Sequence, residues 1–267
     1  MITSIQNPKV KWVRSLQGDS KNRREAGAFV VEGVRLLEEA LTAGWDVQWV
    51  MYTEGLGERG RGLLEAFQAR GAAIDQVAPH VLRAASDTQT PQGILAVLSM
   101  RPLPLPDCLD FAFVPDGIRD PGNLGTMLRS AAAAGVQAVL LPPETVEAFA
   151  PKVVRAGMGA HFRLPIFNMD WDGIRELVAQ AGLQVYLAEA ITGVVYTQVD
   201  FRHPLALIVG GEAEGAGLQA QSLAHARVRI PMPGGGESLN AAVAAGILLF
   251  EAARQRQSDK DLPLPST

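Results

Sequence analysis

Apolar residues fall along this chain in short compact runs separated by stretches of helical spacing. In the first hundred residues, Ala28–Val31, Trp45–Tyr52, Ile74–Ala78 and Ile94–Met100 are apolar and β-branched runs of strand length. Between them lie stretches of helical period. They are Pro8–Leu16, a helix from Glu32 with Val34, Leu37 and Leu41 on one face, Leu63–Arg70, and residues 79–84. Ser86–Gly93 is a loop by composition. Beyond residue 108 the runs Phe111–Val114, Ala138–Leu141, Leu164–Phe167, Gln184–Ala188, Leu205–Val209 and Arg227–Met232 read as extended. The intervening helices follow Asn123, cover Lys152–Gly159 and Gly173–Ala181, and end in a long apolar helix opening at Ser238. Strands alternating with helices predict an α/β fold around a mostly parallel sheet covered on both faces.

The final helix carries Leu239, Val243, Gly246, Ile247 and Phe250 on one stripe, and Ala241, Ala244, Ala245, Leu248 and Leu249 opposite. A helix apolar all round is buried on both sides. One side is expected against the sheet; the other meets either a second chain or more of its own. Arg101-Pro-Leu-Pro-Leu-Pro-Asp107 is a stiff extended linker. The predicted organisation is a small α/β domain over 1–100, a linker over 101–108, a larger α/β domain over 109–256, and a disordered polar tail over 257–267.

Composition narrows the function classes. Hydrophobic residues make up 48% of 267, enough for a sizeable core without covalent staples. The single cysteine, Cys108, excludes an internal disulfide framework and a cysteine-based zinc cluster, and reads as a small buried hydrophobe. The N-terminus lacks a signal-peptide core, and Ala241–Phe250 is too short to span a bilayer. A soluble cytoplasmic protein with no membrane partner is expected. Net charge of −4 argues against a broadly basic nucleic-acid coat. Residues 1–35 nevertheless concentrate basic side chains, among them Arg23, Arg24 and Arg35. They form either a phosphate-gripping patch or a solvated face.

Three stretches carry candidate chemistry. In Asp116-Gly-Ile-Arg-Asp-Pro-Gly-Asn-Leu-Gly-Thr-Met-Leu-Arg129, Asn123 is a candidate helix cap. Helical side chains lean toward the N-terminus, so Arg129 is aimed back at the loop 116–123. It would meet a phosphate or carboxylate ligand there, or pair with Asp116 or Asp120. In Gly210-Gly-Glu-Ala-Glu-Gly215 a buried strand runs into glycines and carboxylates at its C-terminal end, where open α/β sheets bind ligands. The spacing fits neither a dinucleotide fingerprint nor a P-loop. In Ile230-Pro-Met-Pro-Gly-Gly-Gly-Glu-Ser-Leu-Asn240, three glycines offer bare backbone beside a helix N-terminus, with Ser238 a good cap.

Together, in this order, these stretches resemble the three motifs of the SpoU (TrmH-like) branch of the SPOUT RNA methyltransferases, and Arg155–Pro165 is similar to that family's middle segment. The likeness covers about residues 110–254. The first domain is similar to the substrate-binding module of ribosomal-RNA members, through Val31-Glu-Gly-Val-Arg35 and Ser86-Asp-Thr-Gln-Thr-Pro-Gln-Gly93. The resemblance implies 2′-O-ribose methylation of RNA with S-adenosylmethionine as donor, no metal, and a deep trefoil knot in a SPOUT-type sheet. It implies a homodimer through the knot and the C-terminal helix. By position, Gly210, Ile230 and Leu239 match cofactor-binding residues, with Gly211 and Met232 as pocket neighbours. Asn123, Arg129, Glu212, Ser238 and Asn240 match active-site residues. Arg23, Arg24 and Arg35 are expected to touch RNA, and structured ribosomal RNA is favoured over tRNA. A base methyltransferase of the same superfamily and a non-catalytic RNA-binding paralogue are the alternatives. Ala241-Ala-Val replaces the family's more usual Val-Ser-Val after the asparagine.

Overall fold

The computed structural model describes residues 1–211, 215–235 and 238–257; the expected tail lies outside these from residue 258. The chain divides into two compact units, Met1–Arg101 with Glu147–Arg163, and Pro102–Val146 with the residues from Leu164. The helix expected over 152–159, which linear order assigns to the larger domain, is α7 (Pro151–Gly157) and belongs with the N-terminal unit.

The N-terminal unit contains α1 (Pro8–Gly18), α2 (Ser20–Ala26), β1 (Ala28–Glu32), α3 (Val34–Thr42), β2 (Val47–Tyr52), α4 (Glu58–Ala69), β3 (Ala73–Gln76), α5 (Pro79–Ala85) and β4 (Ile94–Ser99). Its sheet has the order β1-β4-β2-β3, with β4 antiparallel to both neighbours and β3 parallel to β2. Val10, Val13 and Leu16 of α1, with Val81, Leu82 and Ala85 of α5, pack on Val30, Met51, Leu95 and Val97 of one sheet face. Each such buried aliphatic contributes roughly 1.5–3 kcal/mol. Helix α2 escaped the periodicity reading because its sequence, SKNRREA, is polar. The two stretches that resemble the substrate-binding module interlock here. Glu32 accepts from Ser86 Oγ at 2.8 Å and Thr88 Oγ1 at 2.6 Å, and Gln92 Oε1 accepts from the Val34 N–H at 3.3 Å.

The second unit contains β5 (Phe111–Asp116), α6 (Pro121–Ala133), β6 (Ala138–Leu141), β7 (Ile166–Asn168), α8 (Trp171–Gln180), β8 (Gln184–Glu189), β9 (Val194–Val195), β10 (Leu205–Gly210), α9 (Leu218–Leu223), β11 (Ala226–Arg229) and α10 (Ala241–Gln257). Its strands form one sheet in the order β7-β6-β5-β10-β8-β11-β9. Every pairing is parallel. Ala112, Val114, Val185, Leu187, Ala206 and Ile208 face α8 and α9, while α6 and α10 cover the opposite face. On α10, Ala245, Leu248, Leu249 and Ala252 are buried, whereas Val243 and Phe250 are half exposed. Its last turn is held by Arg256, which pairs with Asp110 at 2.7 Å and lies over the Phe111 ring. Cys108 is exposed, not buried as expected, because it lies at the polar end of the linker before β5 begins.

Within the N-terminal unit, His161 is 2% exposed, and burial pushes its pKa down to about 4. Its Nε2–H donates to the Ala148 carbonyl at 2.7 Å, and Nδ1 has no partner among the described residues. The folded state therefore holds a neutral imidazole. An unfolded chain binds that proton near pH 6.5. Between about pH 6.5 and about pH 4 the unfolded state carries more protons, so stability falls as pH falls, by about 1.4 kcal/mol per pH unit from this group. Urea titrations of wild type and His161→Phe across that window should diverge with this slope. Parallel pH profiles would refute the assignment.

Candidate functional site

The site is built by strand register. Gly210 stands opposite Asp116 across β10 and β5, Val209 opposite Ala188 across β10 and β8, and Arg229 opposite Glu189 across β11 and β8. The C-terminal ends of four strands thus finish on one edge, where loops can converge on a ligand. Asp116 accepts from the Gly217 N–H at 2.7 Å, fastening the loop after β10 to the end of β5. Burial raises its carboxyl above the ordinary range, and the charge of Glu144 adds to this. At Gly210 a Cβ would lie 2.3 Å from the Ala216 nitrogen, and at Gly211 one would lie 2.6 Å from the Gly117 oxygen. Both glycines are required by backbone approach, not by turn conformation alone.

Two helix N-termini meet at this edge. Asp120 Oδ1 accepts from the Asn123 N–H at 2.8 Å, so Asp120 caps α6 with Pro121 in its first turn. Asn123 is not the cap, as expected from sequence; it is the third helical residue. Proline at the first helical position, whose missing N–H costs nothing there, was the usable signal. Likewise Asn240, not Ser238, caps α10, accepting from the Ala242 and Val243 amides at 3.0 and 3.2 Å. With its oxygen spent on the cap, the Asn240 Nδ2–H donates to Asn123 Oδ1 at 3.1 Å. Two of the residues matched from separate motifs are thereby in direct contact.

Two adjoining cavities flank this contact. The first, about 240 Å³, is lined by Gly210, Gly211, Ile230, Met232, Ser238 and Leu239. Ala188, Glu189, Val209, Val228 and Leu248 complete its wall. Five cofactor-site candidates drawn from two stretches, 210–215 and 230–240, therefore surround one space. Glu189 escaped sequence reasoning; its signal was a carboxylate at the C-terminal end of a buried strand. Arg227 lies 3.5 Å from it, holding its charge at the pocket's edge. Apolar walls, bare glycine backbone and one carboxylate fit a ligand with a flat apolar ring and a vicinal diol. Adenosine has both parts, so the residues present suit S-adenosylmethionine. The second cavity, about 460 Å³, is polar; Asp116, Arg119, Asn123, Glu144, Trp171 and Gln219 line it. Gly211, Gly215 and Ala241 belong to both.

Arg129 is exposed on α6 and lines neither cavity. Of the two carboxylates that the sequence offered it, Asp116 accepts from the Gly217 amide and Asp120 caps α6. Glu212 lies outside the described residues. Of the basic residues expected to touch RNA, Arg24 and Arg35 are exposed. Arg23 is not available: it is 4% exposed, pairs with Glu147 and donates to the Leu16 carbonyl at 2.5 Å. A charge count cannot reveal a partner so distant in sequence. Among the described residues, no group of three or more histidine, cysteine or acidic side chains is arranged to hold a metal, and no helix is long and apolar enough to cross a membrane.

Residues 110–250 match the SpoU rRNA Methylase family, and residues 7–96 match the MRM3-like substrate binding domain. The chain belongs to the SpoU methylase family. It is 32% identical over 249 residues to the 23S rRNA (guanosine(2553)-2′-O)-methyltransferase RlmP of Bacillus subtilis, covering 93% of this chain and 97% of the relative. It is 36% identical over 268 residues to the 23S rRNA (guanosine-2′-O-)-methyltransferase RlmB of Xylella fastidiosa, covering 94% and 98%. The AdoMet-bound crystal structure of an rRNA methyltransferase from Sinorhizobium meliloti superposes with a TM-score of 0.85 at 34% identity, covering 95% of this chain and 97% of that one.

Asn240→Asp should keep the cap, because an oxygen still faces the helix amides, but lose the donor to Asn123. Its melting temperature should stay near wild type while any activity of the site falls. Asn240→Ala should lose the cap as well, at about 1 kcal/mol. Equal melting temperatures for the two variants would show that Asn240 does not cap α10.

Proposed function

We propose that this chain methylates a ribose 2′-hydroxyl of ribosomal RNA, with the smaller cavity holding S-adenosylmethionine. The single observation that carries the reading is the convergence of Gly210, Gly211, Ile230, Met232 and Leu239 on one pocket beside the Asn123–Asn240 hydrogen bond. When bound, S-adenosylmethionine supplies an electrophilic sulfonium methyl. The chain's own task is to align a 2′-oxygen with it and to assist loss of the hydroxyl proton. Asn123, oriented by Asn240, positions the ribose. Arg129, exposed on α6, anchors the adjacent phosphate and stabilises the developing oxyanion; a guanidinium suits charge stabilisation better than proton abstraction. Ser238, on the pocket wall, positions the loop before α10, and Glu212 acts in the same site. Arg24 and Arg35 contact RNA phosphates from the N-terminal unit.

The reading includes a homodimer through α10. Val243 and Phe250, 50% and 51% exposed, leave an apolar stripe on the helix flank that faces away from the sheet. It also includes a trefoil knot at the C-terminal edge of the sheet, a reading supported by the central place of β10 between β5 and β8. The reading includes cytoplasmic residence, supported by the likeness to bacterial ribosomal-RNA methyltransferases.

Arg129→Ala should cut methyl transfer on the order of 100-fold, the usual cost of one electrostatic donor, while leaving S-adenosylmethionine affinity nearly unchanged. Calorimetric titration of the donor, and tritiated-methyl transfer to ribosomal RNA from cells lacking the gene, measure the two quantities. Equal loss of both would sink the role assigned to Arg129. Donor binding without transfer by the wild-type protein would favour a non-catalytic RNA binder, and methyl groups on base nitrogens would favour a base methyltransferase.

A further inference from the structure

Among the described residues, three acidic or basic side chains are buried: Arg23, Asp116 and His161. Arg23 is paired with Glu147, and His161 is a neutral ring within the N-terminal unit. Asp116, 6% exposed, is the one of the three that lines the larger cavity. Its structural duty occupies only half of it. Oδ2 accepts from the Gly217 N–H at 2.7 Å, whereas Oδ1 has no hydrogen bond to any described residue. A carboxylate can accept on both oxygens, and a buried one with an idle oxygen is costly to keep. Such a group at a cavity wall points to a ligand that donates to it.

Its place suits the reaction. Across β5 and β10, Asp116 stands beside Gly210 of the donor pocket. A Cβ on Gly211, which lines both cavities, would lie 3.8 Å from the Asp116 carbonyl oxygen. Asn123 borders the same cavity. The other charged residues described on this wall are Arg119, Asp120 and Glu144. Asp120 caps α6, and Glu144 is exposed, 3.6 Å from Arg119.

Resting on the 2′-O-methyltransferase reading, we propose that Asp116 Oδ1 accepts the proton that the ribose 2′-hydroxyl loses during methyl transfer. A lone pair of the hydroxyl oxygen forms the new bond to the methyl carbon, and the carbon–sulfur pair returns to sulfur, leaving S-adenosylhomocysteine. The O–H pair stays on the oxygen, and the proton passes to Asp116, which releases it to water once the product has left. A free hydroxyl resists deprotonation, but its proton becomes strongly acidic as the O–C bond forms and positive charge builds on oxygen. A carboxylate is then base enough. Arg129 does not fill this role, because a guanidinium carries donors and no acceptor. Burial makes Asp116 a better acceptor than a surface carboxylate. It raises the carboxyl above the ordinary range; the Gly217 hydrogen bond opposes this, and the charge of Glu144 adds to it.

Asp116→Asn keeps an oxygen for the Gly217 amide and removes the proton acceptor. In the full-length protein its melting temperature and its calorimetric affinity for S-adenosylmethionine should stay near wild type. Its kcat on ribosomal RNA from cells lacking the gene should fall about 100-fold or more. A second measurement does not depend on the variant's stability. With carbon-13-labelled aspartate carboxyls and saturating S-adenosylhomocysteine, NMR of the wild-type protein should show a carboxyl titrating above the ordinary value of about 3.9. Wild-type kcat/KM for RNA, at saturating donor, should rise about tenfold per pH unit below that same pKa and level off above it, because only the carboxylate accepts. Asp116→Asn should lack both the resonance and the pH limb. Wild-type kcat in folded Asp116→Asn, or a wild-type kcat/KM flat across the carboxyl titration, overturns the role of Asp116 and leaves the parent reading standing. No ribose methylation by the wild-type protein overturns both.

Discussion

The parallel register of β10 between β5 and β8 is the constraint on which the site depends. It sets Gly210 beside Asp116 although the two lie far apart in sequence. Because this sheet is covered on both faces, its strands are apolar almost throughout, and an alternating pattern cannot pin their register as it does in a half-solvated sheet. Other interactions do so here. The Asp116 carboxylate binds the Gly217 amide, and the Cβ-free approaches of Gly210 to Ala216 and Gly211 to Gly117 leave no room for slippage. A buried carboxylate is expensive, and its hydrogen bond to a backbone amide offsets part of that cost. The same polar tie that aligns the strands also floors the larger cavity.

How much of this was legible in the sequence follows from what each signal measures. The strands of both units showed as apolar runs, since burial on both faces leaves only length and punctuation to read. Helix starts were misplaced by two or three residues where several capping residues compete. Asn123 and Ser238 are good caps in isolation, but Asp120 before Pro121, and Asn240, hold the amides. Short elements with polar sequence, α2 and α9, had no period to detect. Arg23 counted as surface charge because its partner, Glu147, enters the N-terminal unit from a remote stretch. That Glu144 and Trp171 line the larger cavity was invisible for a similar reason. Neither belongs to a glycine-rich motif, and only the fold brings them to the cavity of Asn123.

The Asn123–Asn240 bond shows why two asparagines suit this place. Each side-chain amide has one acceptor and one donor end. Asn240 turns its oxygen to the α10 amides and its nitrogen to Asn123, so both ends are used and the ring of contacts is directional. An aspartate could cap but not donate; a serine is too short to do both. The rotamer of Asn123 is fixed by a residue that is itself fixed by a helix, which is how a loop-borne site acquires helix-like precision.

Group transfer between two bound molecules requires that they touch while each is still held by its own wall. The two cavities meet this demand through the smallness of what separates them. Gly211 and Gly215 contribute backbone only, and Ala241 a single methyl. A larger side chain at any of the three would thicken the partition by more than a bond length. The glycine-rich stretch is therefore not chiefly a flexible loop. At Gly210 it permits a strand to turn within van der Waals distance of itself, and at Gly211 and Gly215 it thins a wall. That division of labour accounts for glycines at positions where φ alone does not demand them: Gly210 and Gly211 lack the positive φ that Gly215 adopts. Proximity, which can account for much of a methyl transferase's rate, is thus written into residues that make no polar contact at all.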